Sequence, residues 1–123
     1  MKLQSGTELQ ISIHNRVLIV TPSGELDHFQ AERLRSQIDA AYDKSSCRHM
    51  IISMEGITFM DSSGIGLIIG RYKKAESSGG RLIVSNMSES VSRLFDLSGL
   101  AKIIQRADTV NKALDILGVG GRL

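Results

Sequence analysis

Two hydroxyls and a carboxylate stand together in Met60-Asp61-Ser62-Ser63-Gly64-Ile65-Gly66, between a short apolar run and an apolar-striped helix. Asp and Ser ahead of a helix are cap residues, whose side-chain oxygens accept from the unpaired N–H groups of the first turn. The same N–H groups and the helix macrodipole favour an anion, so a serine at this mouth can carry added negative charge. Hydrolase chemistry fits poorly. A nucleophile elbow reads G-x-S-x-G, and Ser62 has Gly64 two residues on but Met60 where the leading glycine belongs. His14, His28 and His49 all precede Ser62, against the hydrolase order, and they lack metal-ligand spacing. Gly64-Ile65-Gly66 followed by Gly70 is misspaced for a dinucleotide fingerprint, and no G-x-x-x-x-G-K-[ST] phosphate loop occurs. One rival remains, a receiver-like phosphoacceptor domain using Asp61, with Glu25 and Asp27 as its acidic pair and Lys102 as its distant lysine.

The elements that position this stretch follow from periodicity. Leu9, Ile11 and Ile13 alternate with polar residues, predicting a half-buried strand over about 7–13. His14-Asn15 makes a tight turn into a second strand from Arg16 to Thr21, which must be antiparallel to the first. Pro22 is expected to end that pairing and Ser23-Gly24 to turn the chain. Asp27, with Gln30 at capping-box spacing, opens a helix whose inward face is Ala31, Leu34, Ile38 and Ala41. An apolar strand from His49 to Met54 leads to the junction. There Ile65, Ile68, Ile69 and Tyr72 recur at helical spacing until Ser77-Ser78-Gly79-Gly80 stops the helix. A strand Arg81–Ser85 follows, then a helix using Val91, Leu94 and Phe95, and a brief strand at Ile103-Ile104-Gln105. The last helix, capped at Asp108-Thr109 and ended by Gly118, uses Val110, Ala113, Leu114 and Leu117.

This alternation implies an α/β fold: a mixed four- to five-stranded sheet with an N-terminal antiparallel hairpin and about four helices. It forms one domain over 1–123, with residues 1–6 and 119–123 frayed. Ligands of such sheets meet the loops at the carboxyl ends of the strands. Those loops are Gly24 to His28, Glu55 to Gly64, and Asn86 to Ser88, expected together at one end. Gly24, Glu25, Asp27 and His28, then Asp61, Ser62, Ser63 and Gly64, then Asn86, Met87 and Ser88 are therefore the candidate contact residues. Missing side chains at Gly64 and Gly66 serve either a partner's close approach or tight helix–sheet packing.

Composition removes other classes. The chain has 123 residues, 41% of them hydrophobic, with one cysteine, no tryptophan and a net charge of +2. A single cysteine, Cys47, rules out an intramolecular disulfide and suits a reducing compartment as a packed thiol. No signal peptide or membrane-length apolar run is present, so a cytoplasmic protein is expected. Scattered basic residues and few aromatics give nucleic-acid binding little support.

Taken in order, Gly24-Glu25-Leu26-Asp27, Phe59 to Gly66, Gly70-Arg71-Tyr72-Lys73, Arg93 to Leu100 and Leu117-Gly118-Val119 resemble a STAS domain. Within that family the similarity is to the anti-sigma factor antagonists of Gram-positive bacteria, closest to the sporulation type, and runs from about residue 7 to 119. Phe29-Gln30 and a short N-terminal extension depart from the pattern. The resemblance implies a binding module rather than an enzyme, with no cofactor of its own. In that family the serine after the aspartate is phosphorylated, which maps to Ser62, and a sister hydroxyl occupies position 63. The unphosphorylated form would bind an anti-sigma factor that is also a serine kinase and so release a sigma factor. Phosphorylation by that kinase would end binding, and a metal-dependent serine phosphatase would restore it.

Overall fold

Asn15 and Arg16 both take positive φ, 49° and 65°, which makes a two-residue turn whose twist matches that of the strands it joins. It links β1 (Glu8–His14) to β2 (Val17–Leu26), paired antiparallel from His14↔Val17 to Glu8↔Ser23. The computed structural model describes residues 8–119. In it, α1 (His28–Ser45), β3 (His49–Ser53), β4 (Gly56–Met60), α2 (Ser62–Ser77) and β5 (Leu82–Ser85) follow in order. Then come α3 (Glu89–Leu97), a 3-10 turn at Leu100–Lys102, β6 (Gln105–Ala107) and α4 (Val110–Leu117).

The sheet has six strands, more than the four or five expected, because β2 is longer than predicted and carries an extra neighbour. Its first half pairs in parallel with β3, Val17↔His49 to Val20↔Ile52, and its second half with β4, Ser23↔Gly56 to Leu26↔Met60. β3 and β4 thus lie end to end along one side of β2. Pro22 does not end the strand: it is buried and pairs with Leu9. Thr21 and Pro22 fall in the gap between the two parallel partners, where the missing N–H of proline breaks no ladder. Ser23-Gly24 does not turn the chain either. Gly24, at φ 103°, sits at a bulge where the β2–β4 register shifts. Gly56 to Met60, expected as loop, is strand because this second half of β2 supplies its hydrogen-bonding partner.

β3 continues the sheet to β5 and β5 to β6, all parallel. The alternation within each strand separates two cores. Leu18, Val20, Met50, Ile52, Leu82 and Val84 face α1, α2 and α3. Val17, Ile19, Ile51 and Ile83 face α4, through Ala113 and Leu114. Burying an aliphatic side chain of this size stabilises the fold by about 1.5–3 kcal/mol. Tyr42 completes the inward face of α1 where Ala41 was expected, and on α2 Leu67, Arg71 and Ala75 are more deeply buried than Ile69 and Tyr72. β6 begins at Gln105, with Ile104 in the core and Ile103 outside. Val119 packs on the second core rather than fraying; the remaining terminal positions expected to fray lie outside the described residues.

Two contacts fix α2. Arg71, buried within it, reaches Asp39 of α1, with Nη2 donating to Oδ2 at 3.2 Å and Nε lying 2.8 Å from Oδ1 without hydrogen-bond geometry. Burial lowers the Arg71 pKa, and the Asp39 charge opposes that shift. At the other end, Gly64 lies against the strands: a Cβ there would stand 2.3 Å from Met60 Cγ and 2.7 Å from its Sδ. Gly66 has open space at the same point.

Gly64→Ala should therefore lower stability by about 1–3 kcal/mol through overpacking, whereas Gly66→Ala should raise it by about 0.5–1 kcal/mol through helix propensity. Urea unfolding of both variants measures the two signs. His49 gives a pH test. Its Nδ1 accepts from Arg81 N at 3.0 Å, and burial, then the charges of Arg48, Arg81 and Arg16, hold its pKa below the ordinary 6.5. The unfolded chain thus binds more protons, so the stability this group contributes is full above pH 6.5 and falls as pH drops toward the lowered folded-state value. Melting temperatures across pH 5–8 should show that loss in the native chain and a smaller one in His49→Gln.

Candidate functional site

The site is built from two copies of one local arrangement. The register Glu25↔Phe59 and Leu26↔Met60 ends β2 and β4 side by side. Each strand then passes through an aspartate in extended conformation into a helix. Asp27 Oδ1 accepts from Gln30 N at 3.0 Å, and Asp61 Oδ1 from Ser63 N at 2.8 Å. The caps are completed by the aspartate carbonyls, which accept from Ala31 N at 2.8 Å and from Gly64 N at 3.0 Å. Gln30 does not close a reciprocal capping box, because its side-chain oxygen accepts from Arg33. His28 and Ser62 are thus counterparts, each the first residue of its helix.

Ser62 is exposed, and Ser63 is half-buried at the edge of a groove between α1 and α2. His28, Glu32 and Arg35 line the α1 side of that groove and Gly66 the α2 side. The hydrogen bond from Arg35 holds the Glu32 carboxyl below its usual range, and Glu32 raises the Arg35 pKa in return. Glu25 and His28 are exposed, and Asp27 and Asp61 half-buried. Gly64 faces inward and serves the packing of α2. Gly24 is half-buried at the bulge that aims Glu25.

Asn86, Met87 and Ser88 are not level with these residues. β5 is in register with β3, Ser53↔Ser85, so it ends where β4 begins. The five steps along β2 from Thr21 to Leu26 separate the two levels by about 16 Å at ~3.3 Å per residue. Of the three loops expected at one end, two meet there and the third is set back. Asn86 takes positive φ of 59° there, with its N–H on Ala107 O at 3.3 Å, and Ser88 caps α3 through Val91 N at 3.3 Å.

Two phenylalanines that the sequence reading did not count among the contact residues, Phe29 and Phe59, frame the rim. Phe59, opposite Glu25, is half-exposed, and Phe29, on the outer side of the first turn of α1, is 79% exposed. Only Phe95 of the chain's three phenylalanines is in the core. Phe29 could have been found from its offset relative to Ala31, Leu34 and Ile38, which puts it opposite the buried stripe.

An exposed hydroxyl at a helix mouth can accept a phosphoryl group without opening the fold. The receiver alternative fares worse. Asp61 is engaged as a cap, the first two strands are antiparallel, and no group of three or more His, Cys, Asp or Glu among the described residues could hold a metal ion. No helix among them is long and apolar enough to cross a membrane.

The STAS domain model matches residues 8–113. An anti-sigma F factor antagonist from Paenibacillus polymyxa is 42% identical over 112 residues, covering 91% of this chain and 96% of that protein. The anti-sigma factor antagonist SpoIIAA in its unphosphorylated form superposes with a TM-score of 0.77 at 31% identity, covering 93% of this chain and all of the other. Its phosphorylated form gives 0.69 at 34% identity, over 89% and 98% of the two chains. A six-stranded mixed sheet, two parallel helix mouths capped by aspartates and these matches along nearly the whole length agree: the chain belongs to the STAS domain family.

Proposed function

We propose that this chain is an anti-sigma factor antagonist of the sporulation type, switched by phosphorylation of Ser62. The observation that carries this reading is an exposed Ser62 hydroxyl immediately after the Asp61 cap, level with the Glu25–His28 segment, in a chain similar to antagonists named for sigma F. Unphosphorylated, the chain binds an anti-sigma factor that is also a serine kinase, and a sigma factor is released. The kinase holds Mg-ATP and supplies the base. Ser62 Oγ attacks the γ-phosphorus, its proton passes to that base, and ADP leaves. A metal-dependent serine phosphatase later hydrolyses the phosphoester. This chain contributes the acceptor and the contact surface and no catalytic group. Glu25, Asp27, His28, Asp61, Ser62 and Ser63 form the surface, shaped from beneath by Gly24 and Gly64.

Phosphorylation adds about −1.5 to −2 charges to a rim that already holds Glu25, Asp27 and Asp61. The helix N-terminus stabilises that charge within the chain, whereas an interface fitted to a neutral hydroxyl must bury it. Like charges forced together across an interface cost several kcal/mol, on the order of a hundredfold or more in affinity. Repulsion and bulk at the rim are then sufficient, and the core need not rearrange.

Ser62→Ala should incorporate no phosphate from the cognate kinase yet bind it like the native chain; label on Ser63 would reassign the acceptor. Ser62→Asp should fold normally and bind roughly a hundredfold more weakly, read by calorimetry; native affinity would remove the charge argument.

A further inference from the structure

The end of the molecule remote from Ser62 carries charge of the other sign. Arg16, Arg48 and Arg81 stand at or just ahead of the starts of β2, β3 and β5, three neighbouring parallel strands. Arg48 N donates to Arg16 O at 2.8 Å and Met50 N to Arg81 O at 3.0 Å, so the three backbones lie within about two strand spacings, roughly 10 Å. All three residues are exposed. Lys44 and Lys73 end up on the same side, near the C-termini of α1 and α2, which run back along the strands. Among carboxylates at this end, Asp43 is engaged by Lys74 at 3.0 Å. None of the three arginines forms an ion pair with another described residue.

The row is also held in place. Tyr42 Oη donates to Arg48 O at 2.8 Å, and Gly80 approaches so closely that a Cβ there would come within 1.7 Å of the same oxygen. The side chains are steadied by neutral acceptors, Arg48 Nε on Gly79 O at 3.1 Å and Arg81 Nη2 on Gln105 Oε1 at 2.8 Å. Neutral partners leave the charges uncompensated; burial is the main cause that lowers the pKa of His49 between them, and the charges of Arg48, Arg81 and Arg16 lower it further.

We propose that the Arg16–Arg48–Arg81 row is a second docking surface, for an extended acidic protein segment, occupied independently of the Ser62 rim. Arg48 leans toward the loop before β5 and Arg81 toward β6, so the guanidinium groups are spread along a line rather than converging on one point. A small anion would meet one fork, whereas successive carboxylates of an extended segment meet several. Nucleic acid is disfavoured, because Tyr42 at this end is buried with its hydroxyl engaged and offers no face for a base to stack on.

The test is a titration of the full chain with a short glutamate-rich peptide, and separately with tripolyphosphate, followed by amide and histidine NMR signals at low and physiological salt. The peptide should shift the signals of Arg16, Arg48, His49 and Arg81, leave those of Asp61 to Ser63 unmoved, and raise the His49 pKa as its charges offset the arginines. Arg48→Glu with Arg81→Glu should weaken this binding roughly tenfold or more while Ser62 is still phosphorylated at the native rate. Arg48→Gln with Arg81→Gln should give an intermediate loss without charge reversal. Peptide shifts confined to the Ser62 rim, unchanged affinity in the reversed variant, or tripolyphosphate binding more tightly than the peptide would each overturn the proposal.

Discussion

The position of the exposed hydroxyl depends on the second half of β2. That half has no neighbour on one side until β4 supplies it, and β4 delivers the chain to Asp61 level with Asp27. The pairing is backbone hydrogen bonding between parallel strands, so it fixes height along the sheet to within a residue. Met60 and Leu26 then close beneath Gly64, where a Cβ would crowd both side chains, and α2 leaves the strand at one angle. Arg71 and Asp39 hold its middle against α1. A hydroxyl at the first helical position is exposed because everything after it is pinned.

On the proposed reading this makes an economical kind of switch. The Asp27 and Asp61 side chains each accept from one first-turn amide, so both helix starts are capped without using the Ser62 hydroxyl. Signal and scaffold are separated by a single residue. Under that proposal the change of state is electrostatic and local, read by whatever lies against the rim, and the dense cores on both sides of the sheet need not transmit it.

Much of this was legible in the residues. Asp27 and Asp61 were readable as caps because Asp before an apolar stripe has few other uses, and the hairpin was readable from alternation at Leu9, Ile11 and Ile13. The four helices came from spacing. What failed was pairing at a distance. Gly56-Ile57-Thr58-Phe59-Met60 has no clear alternation, since Ile57 and Met60 are buried while Thr58 and Phe59 are not, and its strand character comes from β2. Pro22 misled for the same reason: proline ends a strand only where an N–H is required, and the gap between β3 and β4 is visible only once both are placed. The level of Asn86 likewise follows from register, which no local pattern encodes. At the site, the place of Ser62 directly after a capping aspartate was readable from its neighbours, whereas the inward orientation of Gly64 and the exposure of Phe29 needed the helix phases.

The link Met54-Glu55, where the chain steps from β3 to β4, has a consequence for how such domains can vary. Ile57 N donates to Met54 O at 3.1 Å, so the step is a tight turn with no slack. Side chains alternate across a sheet, so one residue gained or lost there would send Met60 to the outer face and bring Phe59 against the helices. Length changes in related sequences should therefore accumulate in the surface loops and spare this two-residue hinge, whose length sets the height at which the serine is carried.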